Sequence, residues 1–266
     1  MRRKTGAFTK IYLTVALALM YLPILLVIVY SFNESKISSV WAGFSLRWYR
    51  ELFADRSMFE ALRNSLVLGA LSSLCAAVIG TLGAVGMARI RWYGKGAVEY
   101  VSTLPIMIPE IILGMVFLVF FSLLGLPFGM TTLVIAHTSF SIPYVYMLVK
   151  ARLVGLDKSC VEAARDLGAG EFRAFWDVTL PLVLPAVLSG MLLAFAMSFD
   201  DVIISIFVTG VNTNTLPVKV YTQLKTGVTP KINALSTIMF AVTMLVVALS
   251  ALLGRVRNDK SRETGK

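Results

Sequence analysis

Long apolar runs separated by short polar stretches dominate this chain. Six runs can be drawn, at about 11–31, 65–88, 98–123, 130–149, 182–208 and 232–254. Each holds about 20 residues or more, and at ~1.5 Å of helical rise per residue that length crosses the hydrocarbon core of a bilayer. The pattern predicts an all-α membrane protein with six transmembrane helices. A single transmembrane domain then takes up residues 1–266 and leaves no room for a soluble catalytic domain. The first run has a basic start like a signal peptide. It is longer than a signal h-region, however, and no small-x-small cleavage site follows Tyr30-Ser31-Phe32-Asn33, so it reads as an uncleaved first helix.

Two polar stretches are long enough to carry structure of their own. Stretch 32–63 holds Trp41-Ala42-Gly43-Phe44-Ser45 and Trp48-Tyr49, aromatics suited to a membrane interface or to a partner, and a short helix at 57–63. In the loop 150–181, Ser159 followed three residues on by Glu162 reads as a capping box that starts a helix. Gly168 is placed to end that helix in a left-handed conformation. A second short helix is expected from about Glu171 to Asp177, ending before Pro181 starts the fifth span. The apolar members Val161, Ala164, Leu167, Phe172, Phe175 and Trp176 lie either on the bilayer interface or in a groove of a partner.

Within the spans, Ala76, Gly80, Ala84 and Ala88 form a small-residue stripe for close helix packing. Pro105, Pro109 and Pro143 predict kinks. His137 has no ligand partner in the pattern and is assigned to helix packing. Cys75 and Cys160 fall in different compartments, so neither a disulfide nor a metal cluster is expected.

Composition agrees with the runs: 57% of residues are hydrophobic, 15% are charged and mean hydropathy is +0.78. A net charge of +10 raises nucleic acid as a partner, but its distribution argues otherwise. Most of the 25 Lys and Arg fall in the segments that are inside if the N-terminus is inside: residues 2–10, 89–95, 150–173 and 255–266. That bias places both termini in the cytoplasm, with a secondary attraction to membrane lipid and no nucleic-acid partner.

Three acids lie deep within the spans: Glu110, Asp200 and Asp201. An ionised side chain at bilayer depth costs several kcal/mol unless it is paired or faces water, so each marks a functional site. On a straight helix Glu110 lies about 18 Å deep, and Asp200 and Asp201 point ~100° apart, so at most one of the pair aims into a central pathway. No Lys or Arg in the spans balances them, and that suits a cationic substrate.

Glu162, Ala163, Ala164, Gly168, Val178, Leu180 and Pro181 fit the EAA pattern of permease subunits of bacterial ABC importers. Tyr30-Ser31-Phe32-Asn33, the Trp41–Ser45 stretch, Trp48-Tyr49, Ser198-Phe199-Asp200-Asp201-Val202, Phe207-Val208-Thr209-Gly210 and Asn233-Ala234-Leu235 resemble the second permease of spermidine/putrescine ABC importers. These matches run from about residue 11 to 254.

The resemblance implies a type I ABC importer permease fold with a cytoplasmic EAA coupling helix, in the bacterial cytoplasmic membrane. It implies a second homologous permease, a cytosolic ATP-binding subunit dimer and a periplasmic or extracellular polyamine-binding protein as partners. It assigns Glu110, Asp200 and Asp201 to the substrate pathway, although Glu stands at 110 where Asp is as frequent in the family. It assigns Glu162, Ala163, Ala164, Gly168, Leu180 and Pro181 to ATPase coupling.

No G-x-x-x-x-G-K-[ST] phosphate loop is present, so the chain is read as a transporter subunit without catalytic residues, metal or cofactor. Two alternatives stay open: an ABC permease for another small solute, and a stand-alone proton-coupled secondary transporter using the three acids as a relay.

Overall fold

The computed structural model describes residues 7–36, 40–90, 92–157, 159–227 and 229–245. Residues 246–254 of the sixth apolar run lie outside them, as do the cationic residues at 2–4, 91, 158 and 255–266. The chain divides into two compact units, Met1–Arg56 with Thr222–Lys266, and Ser57–Tyr221.

In the first unit, helix α1 (Ala7–Tyr30) carries no charge beyond Lys10, and most of it is exposed, as a lipid-facing span requires. Asn33 organises the polar segment beyond this helix. Its side-chain amide donates to the Val40 carbonyl (2.7 Å), and its Oδ1 accepts from the Ala42 N–H (2.9 Å). Its backbone carbonyl accepts from the Trp48 indole at 2.7 Å. An isolated antiparallel bridge joins Asn33 to Phe44, and Phe32 stacks on Phe44 at 5.3 Å. Ser31 Oγ and Tyr49 OH lie 2.7 Å apart.

The aromatic motifs are thus partners of each other. Trp48, expected at the membrane interface or on a partner, is buried at the start of α2 (Arg47–Ala54), while Trp41 and Phe44 stay exposed. Helix α12 (Pro230–Leu245) buries Ile232, Ala234 and Leu235, and the Lys231 ammonium pairs with Asp55.

The second unit is built on α3 (Arg56–Arg89), a helix of 34 residues. The short helix expected at 57–63 is its first two turns. The third apolar run is two helices, α4 (Lys95–Met107) and α5 (Glu110–Leu123), bent by 107°. Pro109 causes the break. It has no N–H to donate, and it forces Ile108 out of the α region to ψ 128°. Pro143, in contrast, sits inside α6 (Met130–Val154) without interrupting it.

Beyond α7 (Ser159–Asp166) and α8 (Glu171–Ala174), a π-turn at Phe175–Thr179 leads into α9 (Leu180–Asp200). The second loop helix therefore runs on into the fifth span. The widened turn answers Pro181, which cannot donate to the carbonyl four residues back. The fifth run then breaks at Asp201–Val202 before α10 (Ile203–Val208), and α11 (Leu216–Thr226) follows.

Helix α6 holds the unit together. It lies along α9 and crosses α3, with Val145, Tyr146 and Val149 packed among Ala76, Ala84, Val183 and Ala194. Glycines make the crossings close. A Cβ at Gly80 would sit 2.9 Å from Val145 Cβ, and one at Gly190 would sit 3.1 Å from Val145 Cα. Ala88, the last member of the small-residue stripe, is exposed and does not share this packing.

We expect Gly80→Ala to cost about 1–3 kcal/mol of overpacking. Gly86→Ala on the same helix meets nothing within 4 Å and should be neutral. Melting of the purified protein in detergent distinguishes the two variants; equal melting temperatures would show that the crossing yields freely.

Candidate functional site

The two broken helices bring the membrane acids together. Glu110 is the first residue of α5, immediately past the Ile108–Pro109 break, and Asp200 is the last residue of α9. Asp201 has left the helix, with ψ 128°. All three line one cavity of about 480 Å³, with Phe140, Ala196, Met197, Val202 and Ile203 as the apolar wall and no Lys or Arg among the described residues that line it.

The straight-helix geometry expected for these acids does not hold. The 107° bend removes the depth reckoned for Glu110, and the Asp pair straddles a helix end instead of sharing a helical surface. Backbone freed at such breaks is tolerated at membrane depth only inside protein or beside a cavity, and both breaks here border the cavity.

The two aspartates differ in environment. Asp201 is nearly enclosed, with its side chain 5% exposed. One carboxylate oxygen accepts from the Ile204 N–H (3.2 Å), and the other accepts from the Ser205 N–H and the Ser205 hydroxyl (both 2.8 Å). It thereby caps α10, satisfying donors that the break left open. Asp200 is exposed to the cavity, as is Glu110.

His137, expected to serve in helix packing, is fully buried and makes two polar contacts. Its Nδ1 lies 2.8 Å from Ser198 Oγ and its Nε2 3.1 Å from Ser205 Oγ. Ser72 Oγ lies 3.0 Å from Ser198 Oγ. Sequence reading missed Ser72 and Ser205. Ser205 stands seven residues after Ser198, the spacing of one helical face, but the intervening break hides that relation.

In the 150–181 loop, the cap of α7 differs from the expected capping box. The Asp157 carboxylate accepts from the Ser159 N–H at 3.0 Å, and this bond holds its pKa below the ordinary carboxylate range. Glu162 and Ala163 are exposed, and Ala164 is half-buried.

Gly168 has φ +87°, and the bonds Gly168 N–H to Arg165 O (2.8 Å) and Ala169 N–H to Ala164 O (3.0 Å) close α7 in a Schellman motif. Glu171, which the pattern had not singled out as a charge, reaches Arg89 (2.8 Å) and Arg165 (2.5 Å) and so ties the loop to the end of α3. Leu167, Phe172 and Trp176 are left largely exposed beside these charges, while Val178 and Leu180 are half-buried and Pro181 is exposed.

Comparison with known proteins gives this arrangement a context. The chain is 39% identical over 254 residues to the spermidine/putrescine transport system permease protein PotC of Shigella flexneri, covering 96% of this chain and 95% of the relative. It is 38% identical over 261 residues to the putrescine transport system permease protein PotI of Escherichia coli K12, covering 95% and 93%.

Among solved structures, a bacterial ABC transporter that imports the acidic polysaccharide alginate superposes with a TM-score of 0.70. That match covers 95% of this chain and 99% of the other at 15% identity, a likeness of fold. The fold is therefore that of the type I ABC importer permeases. Residues 76–261 match the family described as binding-protein-dependent transport system inner membrane component, and the chain belongs to that family.

Proposed function

We propose that this protein is one of two permease subunits of an ATP-driven polyamine importer, and that Glu110, Asp200 and Asp201 form part of the substrate pathway. One observation carries the reading: three carboxylates from two broken helices line a single cavity, with no Lys or Arg among the described residues of its lining. Such a cavity attracts a polyvalent ammonium ion, repels anions and offers partial replacement for lost water. The identity to spermidine and putrescine permeases supports the same substrate class.

In this reading the chain forms one membrane domain in the bacterial inner membrane, with six crossings and both termini in the cytoplasm. A second, homologous permease completes the pathway, an outer binding protein delivers the polyamine, and a cytosolic ATPase dimer receives the 150–181 loop. Exposed Leu167, Phe172 and Trp176, flanked by Glu162, Arg165 and Arg173, supply an apolar patch with a charged rim, the usual anatomy of a protein interface. Closure of the ATPase dimer on ATP would move that loop, and the continuous helix from the loop into α9 carries the motion toward Asp200.

The test is uptake of labelled putrescine in cells lacking their own polyamine importers and expressing this chain with its three partners, with unlabelled spermidine as competitor. We expect uptake that requires every partner, and the strength of competition ranks the two polyamines. Absence of uptake by an assembled complex would remove the polyamine assignment. Uptake by this chain alone would replace the ABC reading with a secondary transporter.

A further inference from the structure

We propose that His137 is a positioning residue for the substrate pathway. Through Ser205 it fixes Asp201 as an enclosed, anionic charge and leaves Asp200 and Glu110 to contact the ammonium groups. The inference rests on the pathway reading above and adds to it a division of labour between the two aspartates.

With Asp201 ionised, hydrogen-bond accounting gives the network one direction. The Ser205 hydroxyl has a single proton, and it points to the Asp201 carboxylate, an acceptor with no proton to give when ionised. Ser205 Oγ can then only accept from His137, so the ring carries its proton on Nε2 (3.1 Å). In a neutral imidazole Nδ1 is therefore the acceptor, and the Ser198 hydroxyl donates to it (2.8 Å). A charged ring would put a second positive donor in a site that is 0% exposed, at a large desolvation cost.

Ser72 on α3 gives its one proton to the Leu68 carbonyl (2.7 Å) and abuts Ser198 Oγ at 3.0 Å. The donors from Ser198 through His137 and Ser205 point toward Asp201. The series links α6, α9 and α10, with α3 packed against it, so it locks the helix break in place as well as the carboxylate.

The consequence for Asp201 is that its acceptor positions are largely filled. Three donors within 3.2 Å already occupy the two oxygens, and the imidazole Nε2 stands 3.5 Å from Oδ2. An ammonium ion cannot displace them without uncapping α10. Asp201 thus acts at short range as a fixed negative charge. Asp200, one residue earlier and exposed to the cavity, has its oxygens available for direct contact. The phenyl ring of Phe140, 5.2 Å from the imidazole, lines the same cavity and holds His137 behind the wall.

The experiment measures uptake per assembled complex at saturating binding protein and polyamine, alongside ATP hydrolysis without substrate and recovery of the partner subunits. His137→Leu removes both ring contacts and should lower uptake by about tenfold, the size of one lost buried hydrogen bond, with assembly and substrate-independent ATP hydrolysis retained. His137→Gln keeps an acceptor and a donor and should recover most of the rate.

Ser205→Ala is the gentler cut, because the Ser205 backbone N–H still caps Asp201. It should give a similar loss, reversed by Ser205→Thr. In an Asp201→Asn background, His137→Leu should add little, since a residue acting only through that charge has nothing left to position.

Full uptake in both His137→Leu and Ser205→Ala would overturn the proposal, as would losses that simply multiply in the Asp201→Asn background. If His137→Leu fails to assemble, the Ser205 pair and its cycle with Asp201→Asn decide the matter. Wild-type complex that moves no polyamine would instead sink the pathway reading itself.

Discussion

Asp200→Asn is expected to lower polyamine uptake per assembled complex by about ten- to a hundredfold while leaving subunit recovery unchanged. The size reflects the loss that the substitution causes. Asparagine keeps the shape of the side chain and can still cap or accept, so the end of α9 loses no packing. Only the negative charge disappears, from a cavity whose remaining charges are Glu110 and the enclosed Asp201.

A charge-assisted contact to an ammonium is worth about 1.5–3 kcal/mol, and that range sets the expected fold-change. Asp200→Glu keeps the charge on a longer stem and should lose less. Glu110→Gln should be milder than Asp200→Asn, because Glu110 begins a helix and its charge also interacts favourably with the amide dipoles of that end. The combination of both should abolish uptake. Full activity in Asp200→Asn, measured with assembly verified, would take Asp200 out of the pathway and leave the cavity as a consequence of helix breaking alone.

That cavity was only partly legible in the sequence. Hydropathy identifies runs 98–123 and 182–208 as membrane-crossing, because it averages over a window and the averages are high. The same averaging conceals the breaks at Ile108–Pro109 and Asp201–Val202. Pro109 was a local signal for the first break, but Pro143 carries the same signal and α6 runs through it, so proline alone does not decide. The second break has no proline; its signal is the Asp pair itself, one of which is spent on capping α10.

The three acids could be named from charge and depth, but their convergence could not. It depends on where two interrupted helices end, which is a tertiary fact. His137 shows the same limit: a lone imidazole on an apolar run reads as packing, and only the serines brought in from α3, α9 and α10 make it a node. At the other extreme, the conformation of Gly168 was readable from one residue, because few side chains tolerate φ +87°.

Glu162→Lys should have the larger effect, a loss of uptake of about a hundredfold or more. Glu162 stands exposed in the first turn of α7, where a negative charge favours the helix, and among the described residues no side chain is ion-paired to it. Its replacement therefore leaves the chain's own packing intact and acts at the surface the loop presents.

If that surface docks on an ATPase, reversing the charge turns an attraction into a repulsion. Close interfacial charge pairs are coupled by about 1.5–7 kcal/mol, so docking or its coupling to hydrolysis should collapse. The Leu167, Phe172 and Trp176 patch would still be present but held away from its groove.

The measurement is recovery of the ATP-binding subunits with affinity-purified complex, together with polyamine-stimulated ATP hydrolysis. Glu162→Gln, which removes the attraction without adding repulsion, should fall between wild type and Glu162→Lys. A basic-to-acidic change selected on the ATP-binding subunit should restore Glu162→Lys and not wild type, and that reciprocity would locate the contact. Normal recovery with normal stimulated hydrolysis in Glu162→Lys would instead mean that α7 faces the bilayer interface, and that the ATPase is driven through another segment.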